Sequence, residues 1–108
     1  AGLKKYDDAE KQFMAAIKKD PEFLNAHLNL GRLYEIKGEF AKAVKQYFII
    51  LKKTFDPADT AVAYIRIGDG YLKMQSQEKA KESYLKAHAA AKGSKILENM
   101  LEEKLKGL

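Results

Sequence analysis

Residues 27–34, His27-Leu28-Asn29-Leu30-Gly31-Arg32-Leu33-Tyr34, return 37 positions later as Tyr64-Ile65-Arg66-Ile67-Gly68-Asp69-Gly70-Tyr71. His27, Leu30, Gly31 and Tyr34 stand at i, i+3, i+4 and i+7, the spacing that places side chains on one stripe of an α-helix. A glycine inside a helix costs about 1 kcal/mol relative to alanine, so its presence at the same place twice needs a reason. Close approach of a neighbouring helix supplies one, because glycine leaves a notch there.

A second stripe repeats alongside the first. Ala9, Phe13 and Ala16, headed by Tyr6, recur 34 residues on as Ala43, Tyr47 and Ile50, and a further 37 on as Ala80, Tyr84 and Ala87. Self-similarity at this period marks a solenoid, since one helical hairpin cannot bury its own apolar face. The small residues leave notches, and the aromatic ones are of a size to fill them.

The punctuation between stripes sets the helices. Asp20-Pro21-Glu22 and Asp56-Pro57 each offer a capping aspartate followed by a proline suited to the first helical position. Gly38 and Gly93 stand where a helix end is followed by a left-handed residue, and Ser94 is placed to cap the helix after Gly93. Helices are predicted near 3–19, 22–37, 40–54, 58–75, 77–92 and 95–106. The 37-residue step adds three residues around Thr54–Thr60, which predicts a longer tail on that hairpin, able to tilt the next repeat or act as a contact loop. Gln77 stands where the preceding repeat has Phe40, so a looser turn is expected there. From Lys95 to Leu108, the residues Ile96, Leu97, Met100, Leu101 and Leu105 share one side and acids and lysines occupy the rest, as in a terminal capping helix.

These residues resemble the tetratricopeptide repeat (TPR) family. Its pattern is an aromatic, a leucine-glycine pair and a tyrosine on one helix, with an alanine and an aromatic on the next. The chain reads His27, Leu30-Gly31, Tyr34, Ala43, Tyr47 and Pro57, then Tyr64, Ile67-Gly68, Tyr71, Ala80 and Tyr84; a leading half repeat supplies Tyr6, Ala9, Phe13, Ala16 and Pro21. The resemblance implies an all-α fold, an α-α superhelix of antiparallel helical hairpins. It divides the chain into a half repeat at 1–21, repeats at 22–57 and 58–93, and a capping helix at 94–108. The opening helix is then the second of its repeat, so its apolar stripe is expected to stay partly uncovered. Either further repeats precede it in a longer protein, the preferred reading, or the stripe meets a second copy.

In such a stack the first helix of each hairpin lines the inner, concave face. Residues there turned away from the core stripe are Asn25, Leu28, Asn29, Arg32 and Ile36, and their counterparts 37 on, Val62, Ile65, Arg66, Asp69 and Lys73. The core stripes barely change between repeats, whereas this face does: Asn25 becomes Val62, Arg32 becomes Asp69, and Ile36 becomes Lys73. Packing does not dictate these positions, which leaves them for a peptide or protein partner. Arg32 and Arg66 are the expected cations, and reversing both is predicted to weaken binding without melting the fold. Chaperone-binding members of the family grip a C-terminal carboxylate with a clamp. Asn29 and Arg66 match two of its positions, but Val62 replaces a lysine.

The rest of the sequence excludes more than it offers. There are no cysteines among 108 residues, which removes disulfides and thiolate chemistry. No apolar run approaches the roughly 20 residues of a membrane span. The net charge of +5 suits either a basic surface for an acidic partner or lysines that solvate helix faces. The second reading is preferred, because acids are interspersed and no five like charges run together. His27 and His88 form no metal motif, so no metal or cofactor is implied. Asp7-Asp8 and Glu102-Glu103 are neighbours that point to different sides of a helix and cannot act as paired acid and base. Gly68-Asp69-Gly70 lacks the spacing and the lysine-serine of a phosphate loop. Aromatic residues lie in the core stripes, leaving no stacking platform for nucleic acid. The expectation is a non-catalytic interaction module. A self-associating scaffold is the alternative, and a regulatory appendage of an enzyme the third reading. The compartment stays open, with the cytoplasm as default.

Overall fold

In the computed structural model, which describes residues 2–108, the chain forms six helices: α1 (Gly2–Lys19), α2 (Leu24–Ile36), α3 (Phe40–Lys53), α4 (Pro57–Lys73), α5 (Gln77–Ala90) and α6 (Lys95–Lys106). Ala1, first residue of the expected half repeat, lies outside the described residues. Each helix packs on the next in chain order, and the described residues include no strand. The fold is all-α, a TPR-like solenoid.

Glycine notches hold the stack together. Tyr47 and Tyr84 are fully buried, and a Cβ placed on Gly31 would lie 2.5 Å from Tyr47 Cε1; one on Gly68 would lie 2.5 Å from Tyr84 Cε1. Each hairpin therefore closes by sinking the second helix's tyrosine against the first helix's backbone. A third notch joins successive hairpins, where Gly70 of α4 admits Val44 of α3. Around these contacts Leu30, Leu33, Ala43, Ile50, Ala63 and Ile67 fill one half of the core, and Ala61, Ala80, Ala87, Ala91 and Leu101 the other. His27, in the aromatic slot, is buried, with its ring nitrogens 3.0 Å from the Gln46 side-chain oxygen and 3.2 Å from the Pro21 carbonyl. The α1 stripe of Tyr6, Ala9 and Phe13 packs against this core but stays half-buried.

Several local expectations are corrected. Asp20-Pro21 does not open α2. Asp20 Oδ1 accepts from Glu22 N at 3.2 Å in a turn, and the helix begins at Leu24 behind Phe23, which gives no side-chain cap. The Pro21 carbonyl is engaged by His27, so the chain is held in a turn there. Asp56 does cap α4, accepting from Ala58 N at 2.9 Å with Pro57 in the first turn. Asp56→Ala is expected to lower stability by about 1 kcal/mol, read by thermal denaturation, while Asp20→Ala stays within about half that. Equal losses at the two sites would show that capping does not separate them.

The three extra residues before the second repeat do not make a long loop. They lengthen the helix: α4 has 17 residues against 13 in α2, while the connection Thr54–Asp56 is short. It is tied by Thr54 Oγ1, which accepts from Asp56 N at 3.1 Å and donates to Asp59 Oδ2 at 3.3 Å. The turn expected to be looser is closed like its counterpart. Glu39 N donates to Tyr34 O and Ser76 N to Tyr71 O, both at 2.8 Å. Gly38 (φ 79°) supplies the left-handed residue in the first turn and Gln75 (φ 62°) in the second, where a side chain bears the strain. On α6 only Leu97, Leu101 and Leu105 face the core; Ile96 and Met100 form a separate exposed strip.

Candidate functional site

The helices α2, α4 and α6 lie along one side of the stack, and their outward faces enclose three adjoining hollows. The first, about 270 Å³, lies between the opening turns of α2 and α4 and is lined by Leu24, Asn25, Leu28, Asp59 and Val62 over Ile50 and Ala63. The second, about 580 Å³, lies at the other end of the same two helices, between Arg32, Glu35, Ile36, Phe40, Asp69, Leu72 and Lys73. The third, about 260 Å³, joins Val62, Ile65, Arg66 and Asp69 of α4 to Leu97, Met100 and Lys104 of α6. Nine of the ten expected residues line a hollow. Asn29 is exposed on α2 but borders none of the three.

Ile65 is withdrawn from the expected surface. Only 9 % of it is accessible, because α6 lies across it and draws it into the core with Tyr84, Ala87 and Leu101. Residues not anticipated include Leu24, Glu35, Phe40 and Leu72, together with the α6 face of Leu97, Met100 and Lys104. Leu24 precedes Leu28 by one helical turn and Leu72 follows Asp69 by three residues, so helical spacing alone could have found those two. The α6 contribution depends on how the last helix docks, which spacing does not reveal.

A chain of charge-assisted contacts runs along the groove floor. The Tyr47 hydroxyl donates to Glu35 Oε2 at 2.5 Å, and Arg66 Nη1 stands 3.6 Å from the same oxygen. One repeat further on, the Tyr84 hydroxyl donates to Asp69 Oδ1, which also accepts from Lys104 Nζ at 3.1 Å. Each acid thus joins a tyrosine of its own hairpin to a cation of the next first-type helix. Burial, reinforced by the neighbouring carboxylate, pushes both tyrosine hydroxyls well above their ordinary range, so they remain donors at any physiological pH. A third contact of this kind lies between α1 and α2, where Glu10 accepts from Lys37 Nζ at 3.0 Å and from the Tyr34 hydroxyl at 3.1 Å. The Lys37 hydrogen bond, the largest influence, holds the Glu10 carboxyl below its usual value against the opposing effect of burial.

This wiring changes the roles expected of two residues. Arg66 is bound to Glu35 and lies 6.0 Å over the Tyr47 ring, and Asp69 is held by Tyr84 and Lys104. An acid at position 66 would face Glu35, so reversing its charge disturbs the fold as well as the surface. The groove's cations without an ion-pair partner among the described residues are Arg32 and Lys73, both exposed. The carboxylate clamp loses support for the same reason: its arginine is engaged, and Val62 offers no ammonium.

Stacked helical hairpins with notched first helices and an open inner groove define a helical-repeat scaffold. Family models described as tetratricopeptide repeat match residues 2–59 and 61–91. The chain belongs to the tetratricopeptide repeat family, a non-catalytic repeat fold whose members generally mediate protein–protein interactions. Among curated proteins, no match is found. No helix among the described residues is long and apolar enough to cross a membrane.

Proposed function

We propose that the chain binds a peptide or a segment of a partner protein in the groove between α2, α4 and α6. The observation that carries this reading is the pairing of exposed apolar side chains with unpaired cations. Ile36, Val62, Leu72 and Met100 are exposed along the three hollows, and Ile36 and Leu72 share theirs with Arg32 and Lys73. Nothing in the fold requires an isoleucine at position 36 that is 63 % accessible. Such a line of apolar anchor points with polar groups beside them suits an extended or helical segment. The residues facing the groove also differ between the two repeats, whereas the glycine and tyrosine that lock each hairpin, Gly31 with Tyr47 and Gly68 with Tyr84, are the same in both.

The test is recovery of partners on the immobilised chain, followed by titration of the best partner against Ile36→Glu with Val62→Glu. Affinity should fall by at least about tenfold while the melting temperature moves by only a few degrees, since surface changes usually stay within about 0.5 kcal/mol. Arg32→Glu with Lys73→Glu should weaken an acidic partner similarly. Unaltered affinity in both double variants would remove the groove from the binding surface.

A further inference from the structure

The surplus charge of this protein is sorted by face. Helix α3 carries Lys42, Lys45, Lys52 and Lys53 and no acid, and α5 carries Lys79, Lys81 and Lys86 against Glu78 and Glu82. On α2, α4 and α6 acids and bases are equal in number: Arg32 with Glu35; Arg66 and Lys73 with Asp59 and Asp69; and three lysines with three glutamates. The excess on α3 and α5 together is five, as large as the net +5 of the whole chain. The inner face is balanced, and the outer face is basic.

That outer face also has a shape. Tyr64 and Tyr71 leave α4 on the side opposite Val62, Arg66 and Lys73, and with Phe48 of α3 they floor a hollow of about 170 Å³ beneath Lys79 and Lys86 of α5. Phe48 also walls a second hollow of about 290 Å³, bordered by Ala41, Val44, Lys42 and Lys45. The two hollows therefore adjoin across one exposed phenylalanine, and lysines rim both. Lys79 and Lys86 stand 5.7 and 5.9 Å from the centres of the Tyr71 and Tyr64 rings. Lys86 has Glu82 at 3.3 Å and Lys42 has Glu39 at 3.9 Å, while Lys45 and Lys79 have no carboxylate partner among the described residues.

We infer that this outer face between α3 and α5 is a second docking surface, separate from the inner groove, for an acidic amphipathic segment of another protein. Its apolar side chains would enter the hollows on either side of Phe48, and its carboxylates would draw Lys45 and Lys79 out of their unpaired state. Charge complementarity selects the acid, and the hollows select the occupant's shape. At 290 and 170 Å³ they fall below the roughly 300–1,000 Å³ of small-ligand sites and suit single side chains. A lipid bilayer offers no projection to fill a concavity, and membrane-bound surfaces instead project their apolar residues outward. Nucleic acid is disfavoured because both arginines lie on the other face and lysines already cover the tyrosine rings.

The probe is a fluorescein-labelled peptide of about twelve residues, rich in Glu and Asp with Phe and Leu one helical turn apart, titrated by anisotropy against the whole chain. A peptide with Lys replacing the acids is the control. The acidic peptide should bind and the basic one should not, with affinity falling as salt rises from about 50 to about 200 mM. Lys45→Glu with Lys79→Glu, and separately Phe48→Ser, should each weaken binding by about tenfold or more, whereas the same charge change at Lys18 and Lys19, exposed on α1 and lining neither surface, should alter it less than about twofold. Circular dichroism checks that each variant keeps the parent's helical content. Absence of binding overturns the inference, as does unchanged affinity in both the Lys45/Lys79 and the Phe48 variants. So does a preference for phosphatidylserine vesicles over the peptide that the Lys45/Lys79 variant abolishes.

Discussion

Tyr84→Ala is expected to destabilise the protein by about 3–5 kcal/mol, the usual cost of deleting a large buried aromatic side chain. The residue is fully buried, its ring rests against Gly68, and its hydroxyl is tied to Asp69, so its loss leaves a cavity and orphans a polar contact. A chain of this size is stable by only about 5–15 kcal/mol, so the variant should unfold at markedly lower urea, with a similar slope. Tyr84→Phe separates the two contributions. It keeps the ring, leaves Asp69 to Lys104, and should lose about 1 kcal/mol. Leu85→Ala, one residue on and exposed, should stay within about 0.5 kcal/mol. A Tyr84→Ala loss no larger than that of Leu85→Ala would show that the tyrosine is not a linchpin of the stack.

Gly68→Ala should destabilise by about 1–3 kcal/mol even though alanine is the better helix former by about 1 kcal/mol. The added methyl would lie 2.5, 2.7 and 2.9 Å from three atoms of the Tyr84 ring. A ring enclosed on all sides and fixed at its hydroxyl cannot swing aside, so the helices must separate or the side chain must leave its rotamer. Two controls fix the interpretation. Gly107→Ala, where the methyl would meet only the Lys104 carbonyl at 3.6 Å, should be close to neutral. Gly68→Ala combined with Tyr84→Leu should cost less than the two single changes added together, since the smaller side chain vacates the notch. A Gly68→Ala protein as stable as the parent would mean that the close approach of α4 and α5 is not what the glycine serves.

Both predictions concern residues already conspicuous in the amino-acid sequence. Gly31 and Gly68 stood out because glycine is unfavourable inside a helix, and Tyr47 and Tyr84 because an aromatic recurred on the companion stripe. The structure supplies the pairing, Tyr47 against Gly31 and Tyr84 against Gly68. The inner-face positions were legible for a related reason: on a helix whose core stripe is fixed, the opposite face follows from 3.6 residues per turn. That logic failed at Ile65, whose burial depends on α6, and at Arg66 and Asp69, whose partners belong to other helices.

The charge pattern was legible in amount but not in its distribution over faces. Interspersed lysines and acids point to solvated helix faces, and position along the chain averages over those faces. Only when α2, α4 and α6 are seen on one side, and α3 and α5 on the other, does the excess separate from the balanced set. The same holds for Asp20 and Asp56, identical dipeptides with proline, of which only Asp56 caps a helix, because His27 holds the Pro21 carbonyl in a turn.

The amino-acid order therefore determined which segments are helical, which stripes of α2 to α5 turn inward, and that the repeated glycines mark close approach of neighbouring helices. These are consequences of helical periodicity and the repeat, and both are properties of neighbours along the chain. The tertiary structure alone decided which groove charges are engaged, how α6 closes over Ile65, and which face holds the surplus lysines. Those depend on groups separated by tens of residues meeting within a few ångströms, and spacing along one helix carries no information about the distance to another.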